Sequence, residues 1–314
     1  MAPAMRWLML GVVWLAALCQ TARAEDALYD VLTESSQRVT ATGDKVAYDL
    51  YRPTPRSDLP AGPFPAVVLL HGFSRDKRYF AGHAKYMAQH GIIVMTPNIS
   101  SLWIGNANQG RNNRNVCDHL AWLKTRGELT TDSLGGQLDP TRLGLAGHSA
   151  GGAIAFESAI DATTTGSQTP VAALCLLDAY PWPRTYTKAG RMPKLALVSL
   201  RSEAGTFNAQ GGVQRLLAGL PYPVNDIKIA GATHCDAENP TDAMCTQFCG
   251  GSNPDCQARY QRLMYLFFKQ ALQAPDVAGY GEPERDFETY LRKETAARHV
   301  AVQELGGKQQ AMMK

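Results

Sequence analysis

Leu143-Gly144-Leu145-Ala146-Gly147-His148-Ser149-Ala150-Gly151-Gly152-Ala153-Ile154-Ala155-Phe156 is the stretch that decides the fold. The short apolar run 143–146 predicts a buried strand, and the small and apolar residues from 150 onward have helical spacing. Between them stands G-x-S-x-G. A chain that leaves a strand and enters a helix with almost no loop must reverse sharply. Ser149 is thereby forced into a strained backbone conformation with its hydroxyl exposed, and glycine on either side removes side chains that would collide. Helix entry directly afterwards aims backbone N–H groups at any negative charge that develops there. The motif alone recurs by chance; the strand before it and the helix after it give it meaning.

Outward from this elbow the same alternation continues. Apolar runs at 66–70, 92–96, 171–177, 195–200 and 224–229 predict strands, and segments 80–89, 116–125, 150–159, 213–220 and 260–272 carry apolar residues at helical spacing. Near-continuous apolar strands alternating with helices mean a mostly parallel sheet covered on both faces, an α/β fold. Ahead of it, residues 28–52 alternate around the turn Thr42-Gly43-Asp44-Lys45, a hairpin signal, and a proline-rich link, 53–65, follows. After Pro275 the composition turns polar. The expected organisation is a signal peptide at 1–24, a catalytic domain at 25–275 and a polar C-terminal extension at 276–314 with some helix and a mobile end.

Lys and Arg number 31 against 28 Asp and Glu in 314 residues, and 45% of residues are hydrophobic. That suits a folded globular protein and gives no basic excess to suggest a nucleic-acid partner. Arg6 precedes an apolar run from Trp7 to Leu18, and Ala22-Arg23-Ala24 places small residues at −3 and −1 of a cut before Glu25. The run is short for a hydrocarbon core of roughly 30 Å, and bulky Leu18 ahead of Cys19 argues against a lipoprotein. The layout predicts export to the periplasm or beyond, with no stable membrane span in the mature chain. Loss of Arg6 and Arg23 takes the formal charge from +3 to +1.

Export governs how the cysteines read. Cys19 leaves with the signal, and of the six that remain, Cys235, Cys245, Cys249 and Cys256 fall within 22 residues. In an oxidising compartment these four predict two disulfides, with three pairings open. Zinc is the rival, but paired C-x-x-C hooks are missing, so no metal is expected. Cys175, in an apolar run, reads as a small buried hydrophobe.

A serine hydroxyl needs a base to attack. Of seven histidines, only His234 and His299 follow Ser149, the chain order Ser, acid, His of the motif's usual setting. His299 lies in the polar tail. His234 follows the strand 224–229 in a loop at its C-terminal end, where such sheets place ligands, and is the candidate base. His83, His90 and His119 read as ordinary helix-surface residues. For the acid, Asp178 ends the strand 171–177 and would hold the imidazole tautomer; Glu203, after the next strand, is the alternative. Two backbone donors are needed for an oxyanion: the N–H of Ala150, and that of Phe73 in the turn His71-Gly72-Phe73, with His71 as an orienting residue.

With these residues in place the chain resembles the α/β-hydrolase superfamily. More narrowly it resembles the lidless branch of chlorophyllases, platelet-activating-factor acetylhydrolases, dienelactone-hydrolase-like proteins and bacterial polyester hydrolases. The likeness rests on Leu70-His71-Gly72-Phe73, Gly147 to Gly152, Leu177-Asp178-Ala179-Tyr180-Pro181-Trp182, Ser202-Glu203 and Gly231-Ala232-Thr233-His234. It implies the α/β-hydrolase fold and hydrolysis of carboxylic esters without a cofactor, on a small-molecule or polymeric substrate. In the acetylhydrolase and chlorophyllase members the acid follows the strand that matches Asp178; in polyester hydrolases it follows the next strand, where this chain has Glu203. The cysteine-rich segment and the charged tail depart from the family's patterns.

Sixteen residues separate Asp178 from Leu195 and 23 separate Leu200 from Val224, too few for a cap domain. An open site is therefore expected, with Phe73 and Trp103 lining it. The alternatives on the same triad are amide or thioester hydrolysis, or a non-catalytic binding protein on a hydrolase scaffold. The N-terminal reading is checked by the mass of the exported chain: it should begin at Glu25, and a retained Met1 would contradict cleavage.

Overall fold

The computed structural model describes residues 28–99, 108–164, 169–203, 211–275 and 286–307. The signal peptide expected at 1–24 and Trp103 lie outside them. Strands β1 (Val31–Val39) and β2 (Lys45–Pro53) form the expected antiparallel hairpin, turning at Gly43 with φ of 82°. Then come β3 (Phe64–Leu70), α1 (Ala81–Gln89), β4 (Ile93–Pro97), α2 (Gln109–Glu128), β5 (Leu138–His148), α3 (Ala150–Thr164) and β6 (Ala173–Leu177). They are followed by α4 (Pro183–Tyr186), β7 (Ala196–Ser202), α5 (Gly212–Ala218), β8 (Val224–Ile229), α6 (Ala243–Cys249), α7 (Pro254–Ala271), α8 (Phe287–Ala296) and β9 (Val300–Leu305).

The nine strands make one sheet in the order β1-β2-β4-β3-β5-β6-β7-β8-β9, parallel from β4 through β8 and antiparallel at both edges. Period-two alternation sorts the side chains. Ala66, Val68 and Leu70 of β3 pack with Val116, Leu120 and Leu123 of α2 and Ile154 of α3. Val67 and Leu69 face the opposite way, towards Phe80, Met87 of α1 and Leu263, Leu266 and Phe268 of α7. A strand buried on both faces has no polar alternation, which is why these runs read as continuous apolar stretches.

The segment after Pro275, expected as an extension outside the domain, is built into it where it is described. β9 pairs along the whole of β8, from Val224 with Leu305 to Ile229 with Val300, and α8 buries Phe287, Tyr290 and Leu291 against the α7 face. Its polarity is that of an edge: four of the six β9 residues are exposed, as suits a strand with one side on solvent.

A second difference concerns the histidines of α1 and α2. His83, His90 and His119 are not on the surface; all three are at most 1% exposed. A hydrogen bond to each ring replaces part of its lost water. The His83 Nε2 hydrogen is donated to the Ala237 carbonyl at 3.2 Å, and the His90 Nδ1 hydrogen to the Tyr86 carbonyl at 2.6 Å, while His119 Nδ1 accepts from Arg38 at 3.0 Å. Burial pushes His83 and His90 down to about 4 and His119 down to about 3. His71, also buried, is pushed down to about 4.

These groups are neutral when folded and ordinary when unfolded, near 6.5. As pH falls below about 6.5 the unfolded chain takes up protons that the folded chain refuses, so stability declines between about pH 6.5 and 4. With four such groups the slope approaches 5 kcal/mol per pH unit near pH 5, as an order of magnitude. Urea midpoints should therefore fall steeply from pH 7.5 to pH 5; equal midpoints would contradict buried neutral histidines.

Candidate active site

The ends of β5, β6 and β8 build the site at the C-terminal edge of the sheet. Ser149, between β5 and α3, has φ of 53°, and its N–H is donated to the Leu177 carbonyl at 3.0 Å. Asp178, just past β6, has φ of 43°, and its N–H is donated to the Leu200 carbonyl at 2.7 Å. Positive φ at a non-glycine residue is strained, and each strained residue is tied to the neighbouring strand. The turn tolerates no bulk: a Cβ on Gly147 would lie 2.3 Å from the Gly151 carbonyl oxygen, and one on Gly151 would lie 2.3 Å from that of His71.

His234 opens a short 3₁₀ turn, His234–Ala237, capped by Thr233 and Asp236. Its Nδ1 hydrogen is donated to Asp178 Oδ2 at 2.5 Å, with His234 5% exposed and Asp178 1%. Asp178 also accepts from the Ser202 N–H at 2.7 Å and the Ser202 hydroxyl at 2.9 Å. A buried carboxylate needs such donors to stay charged. Glu203 is engaged elsewhere. It is exposed, bonded to Lys228 at 3.0 Å and to the Gly231 N–H at 2.8 Å, and those partners hold its carboxyl below the ordinary value. Glu203 thus braces the turn ahead of His234, and the carboxylate that meets the ring is Asp178.

Ser149 and His234 line one cavity of about 450 Å³, together with Gly72 and Phe73. Ala150 occupies the first turn of α3, where helix N–H groups lack partners within the helix. The Gly72 turn presses on the elbow: a Cβ there would sit 3.1 Å from the Ser149 Cβ. His71 fixes this turn, its Nδ1 hydrogen donated to the Gly72 carbonyl at 2.9 Å and its Nε2 accepting from the Ile99 N–H at 2.7 Å. Ser149, Asp178, His234, Phe73 and Ala150 are therefore brought to one place.

The sheet edge also carries residues that the sequence reading missed. His148 is buried against His234, ring centroids 4.4 Å apart, and its Nε2 hydrogen is donated to the His234 carbonyl at 3.1 Å. Burial, then the neighbouring His234, keeps His148 well below its ordinary value, so it is neutral. Arg75, two residues past Phe73, makes a bidentate pair with Glu238 at 2.8 and 2.6 Å and reaches Asp242 at 3.0 Å. Its guanidinium also lies 3.4 Å over the Tyr79 ring. Burial lifts the Glu238 carboxyl above its ordinary value, and the Arg75 hydrogen bonds work against that lift. This pair bolts the Phe73 turn to the His234 loop. Its signal in the sequence is faint: an arginine two residues after His71-Gly72-Phe73 and two acids between Cys235 and Cys245.

Of the two disulfides expected, one forms, Cys235–Cys245. Cys249 and Cys256 remain thiols. The reason is their placement: Cys249 ends α6 beside the cavity, whereas Cys256 lies on the first turn of α7 and turns its thiol to the Ala230 carbonyl at 3.6 Å. The sulfurs of Cys235, Cys245 and Cys249 lie within 4.8 Å of one another. With two of them bonded to each other, they do not offer the three thiolates a zinc ion takes. Among the described residues no helix is long and apolar enough to cross a membrane.

A family model described as chlorophyllase matches residues 45–199. The chain belongs to the α/β-hydrolase superfamily. The matched span of this α/β-hydrolase runs from β2 into β7 and holds Phe73, Ser149, Ala150 and Asp178. His234, the disulfide and α6 lie beyond it. No curated protein matches the chain.

The bridge joins the loop of His234 to α6 by closing a separation of 10 residues, a constraint worth about 3 kcal/mol. Cys245→Ser should lower stability by roughly that amount and slow the labelling of Ser149 by a fluorophosphonate. Labelling at the wild-type rate would mean that the bridge does not hold the His234 loop.

Proposed function

We propose that this α/β-hydrolase is an exported serine esterase, cleaving carboxylic esters through an acyl-enzyme. The observation that carries the reading is the buried 2.5 Å contact between His234 Nδ1 and Asp178, in a cavity that His234 shares with the positive-φ Ser149. With Nδ1 fixed by the carboxylate, Nε2 is the nitrogen that serves as base.

The Ser149 Oγ bonds to the ester carbonyl carbon while its proton passes to His234 Nε2. The carbonyl oxygen becomes an oxyanion, held by the N–H groups of Ala150 and Phe73. Asp178 stabilises the imidazolium. The tetrahedral adduct collapses, the carbon–oxygen bond to the alcohol breaks, and His234 returns its proton to the leaving alkoxide. Water then attacks the acyl carbon, gives a proton to His234, and the acid leaves as Ser149 is restored. Each step uses only side chains and backbone of this chain. The signal-like pattern of residues 1–24 and the disulfide support export of a mature chain from Glu25 onward.

The test is p-nitrophenyl ester hydrolysis by four proteins. Ser149→Ala should abolish it, and Asp178→Asn should cost roughly 10⁴ in kcat by leaving the imidazole in the wrong tautomer. Glu203→Gln should stay within a few-fold of wild type. Loss with Glu203→Gln and not with Asp178→Asn would overturn the acid assignment. A peptide or acyl-thioester preferred over every ester would overturn the substrate class.

A further inference from the structure

The helix α6 stands at the mouth of the cavity with apolar side chains in the open. Phe248 is 71% exposed, Met244 45% and Phe73, across from them on the β3 turn, 36%. All three line the cavity that contains Ser149 and His234, with Cys245 and Cys249 between. Exposed side chains of this size are costly to leave in water, and grouped ones mark a contact surface. The helix is too short to hold this position by itself. It is held by Cys245, bridged to the residue after His234, and by Asp242 at its N-cap, which accepts from Arg75 and from the Tyr79 hydroxyl at 2.6 Å.

The charges of the cavity wall are spent on one another. Arg75 is paired with both Glu238 and Asp242 and stacked on Tyr79, Glu238 is buried in that pair, and His148 is neutral. A carboxylate or ammonium on the substrate would lose its water here without gaining a partner. An alkyl chain or aromatic ring would lose nothing.

Resting on the serine-esterase reading, we infer that α6 is the substrate-binding wall and that the substrate is an uncharged ester with an extended apolar group. Met244 and Phe248 set the specificity, lying along that group while its carbonyl sits at Ser149. The occupant is the apolar portion of the ester, because the exposed patch is continuous with the cavity of the reacting residues.

The experiment is a p-nitrophenyl ester series from acetate to octanoate, with a chain of equal length ending in a carboxylate, on wild type, Phe248→Ala and Met244→Ala. Each added methylene that is buried is worth roughly a three- to four-fold gain in kcat/KM, so the wild-type series should climb with length and the charged analogue should fall at least tenfold. In both variants the ratio of octanoate to acetate should drop about tenfold or more. An unchanged ratio in both variants, or a charged analogue handled as well as its neutral counterpart, would overturn the assignment. Fluorophosphonate labelling of Ser149 in the same preparations separates the two readings. Labelling with a flat series sinks the wall alone, whereas absence of labelling sinks the esterase reading itself.

Discussion

A ladder of backbone hydrogen bonds between successive strand ends is the constraint on which the site depends. Ser149 donates to Leu177, Asp178 donates to Leu200, and Glu203 donates to Ala232 at 3.1 Å, two residues before His234. Each bond turns a residue outward from one strand while anchoring it to the next. The sheet order β5-β6-β7-β8 thereby becomes the spatial order of nucleophile, acid and base. Strain at Ser149 and Asp178 persists because the parallel core on either side, buried on both faces, leaves the ends of these strands no other path.

A second fixture joins the Phe73 turn, which the ladder does not reach, to the His234 loop. The Phe73 turn and the His234 loop come from β3 and β8, which are not neighbours, and the Arg75–Glu238 pair spans them. A buried ion pair contributes little net stability against a well-packed apolar pair, but breaking one partner leaves an unpaired buried charge. Its effect is on geometry: an oxyanion donor and a base from distant strands are held as one unit. The disulfide extends that unit to α6.

The sheet, its helices and Ser149, Asp178 and His234 were legible because they follow from local rules: apolar runs, helical spacing, glycine at a tight reversal, charge at a strand end. What stayed hidden depended on tertiary partners. The N-terminal half of α2 is polar and carries no apolar stripe, since Asn113 and Asn115 are buried against Asp161, Ser158, Thr40 and Asp44 rather than against a core. The buried histidines look like surface residues for the same reason: what covers them is tertiary, with His83 bonded to the Ala237 carbonyl and His119 to the Arg38 guanidinium. Polar composition made the C-terminal segment read as separate, although alternate residues of an edge strand are polar by position. Cysteine count gave the number of possible bridges but not the helix on which each thiol lies.

The most direct test of the central claim is a crystal structure of the chain after reaction with an alkyl fluorophosphonate. Phosphorus is expected on Ser149 Oγ and the phosphonyl oxygen within about 2.7–3.1 Å of the Ala150 and Phe73 nitrogens, with His234 still bonded to Asp178. An adduct at another residue, or an oxygen turned away from both nitrogens with the imidazole swung off the carboxylate, would contradict it.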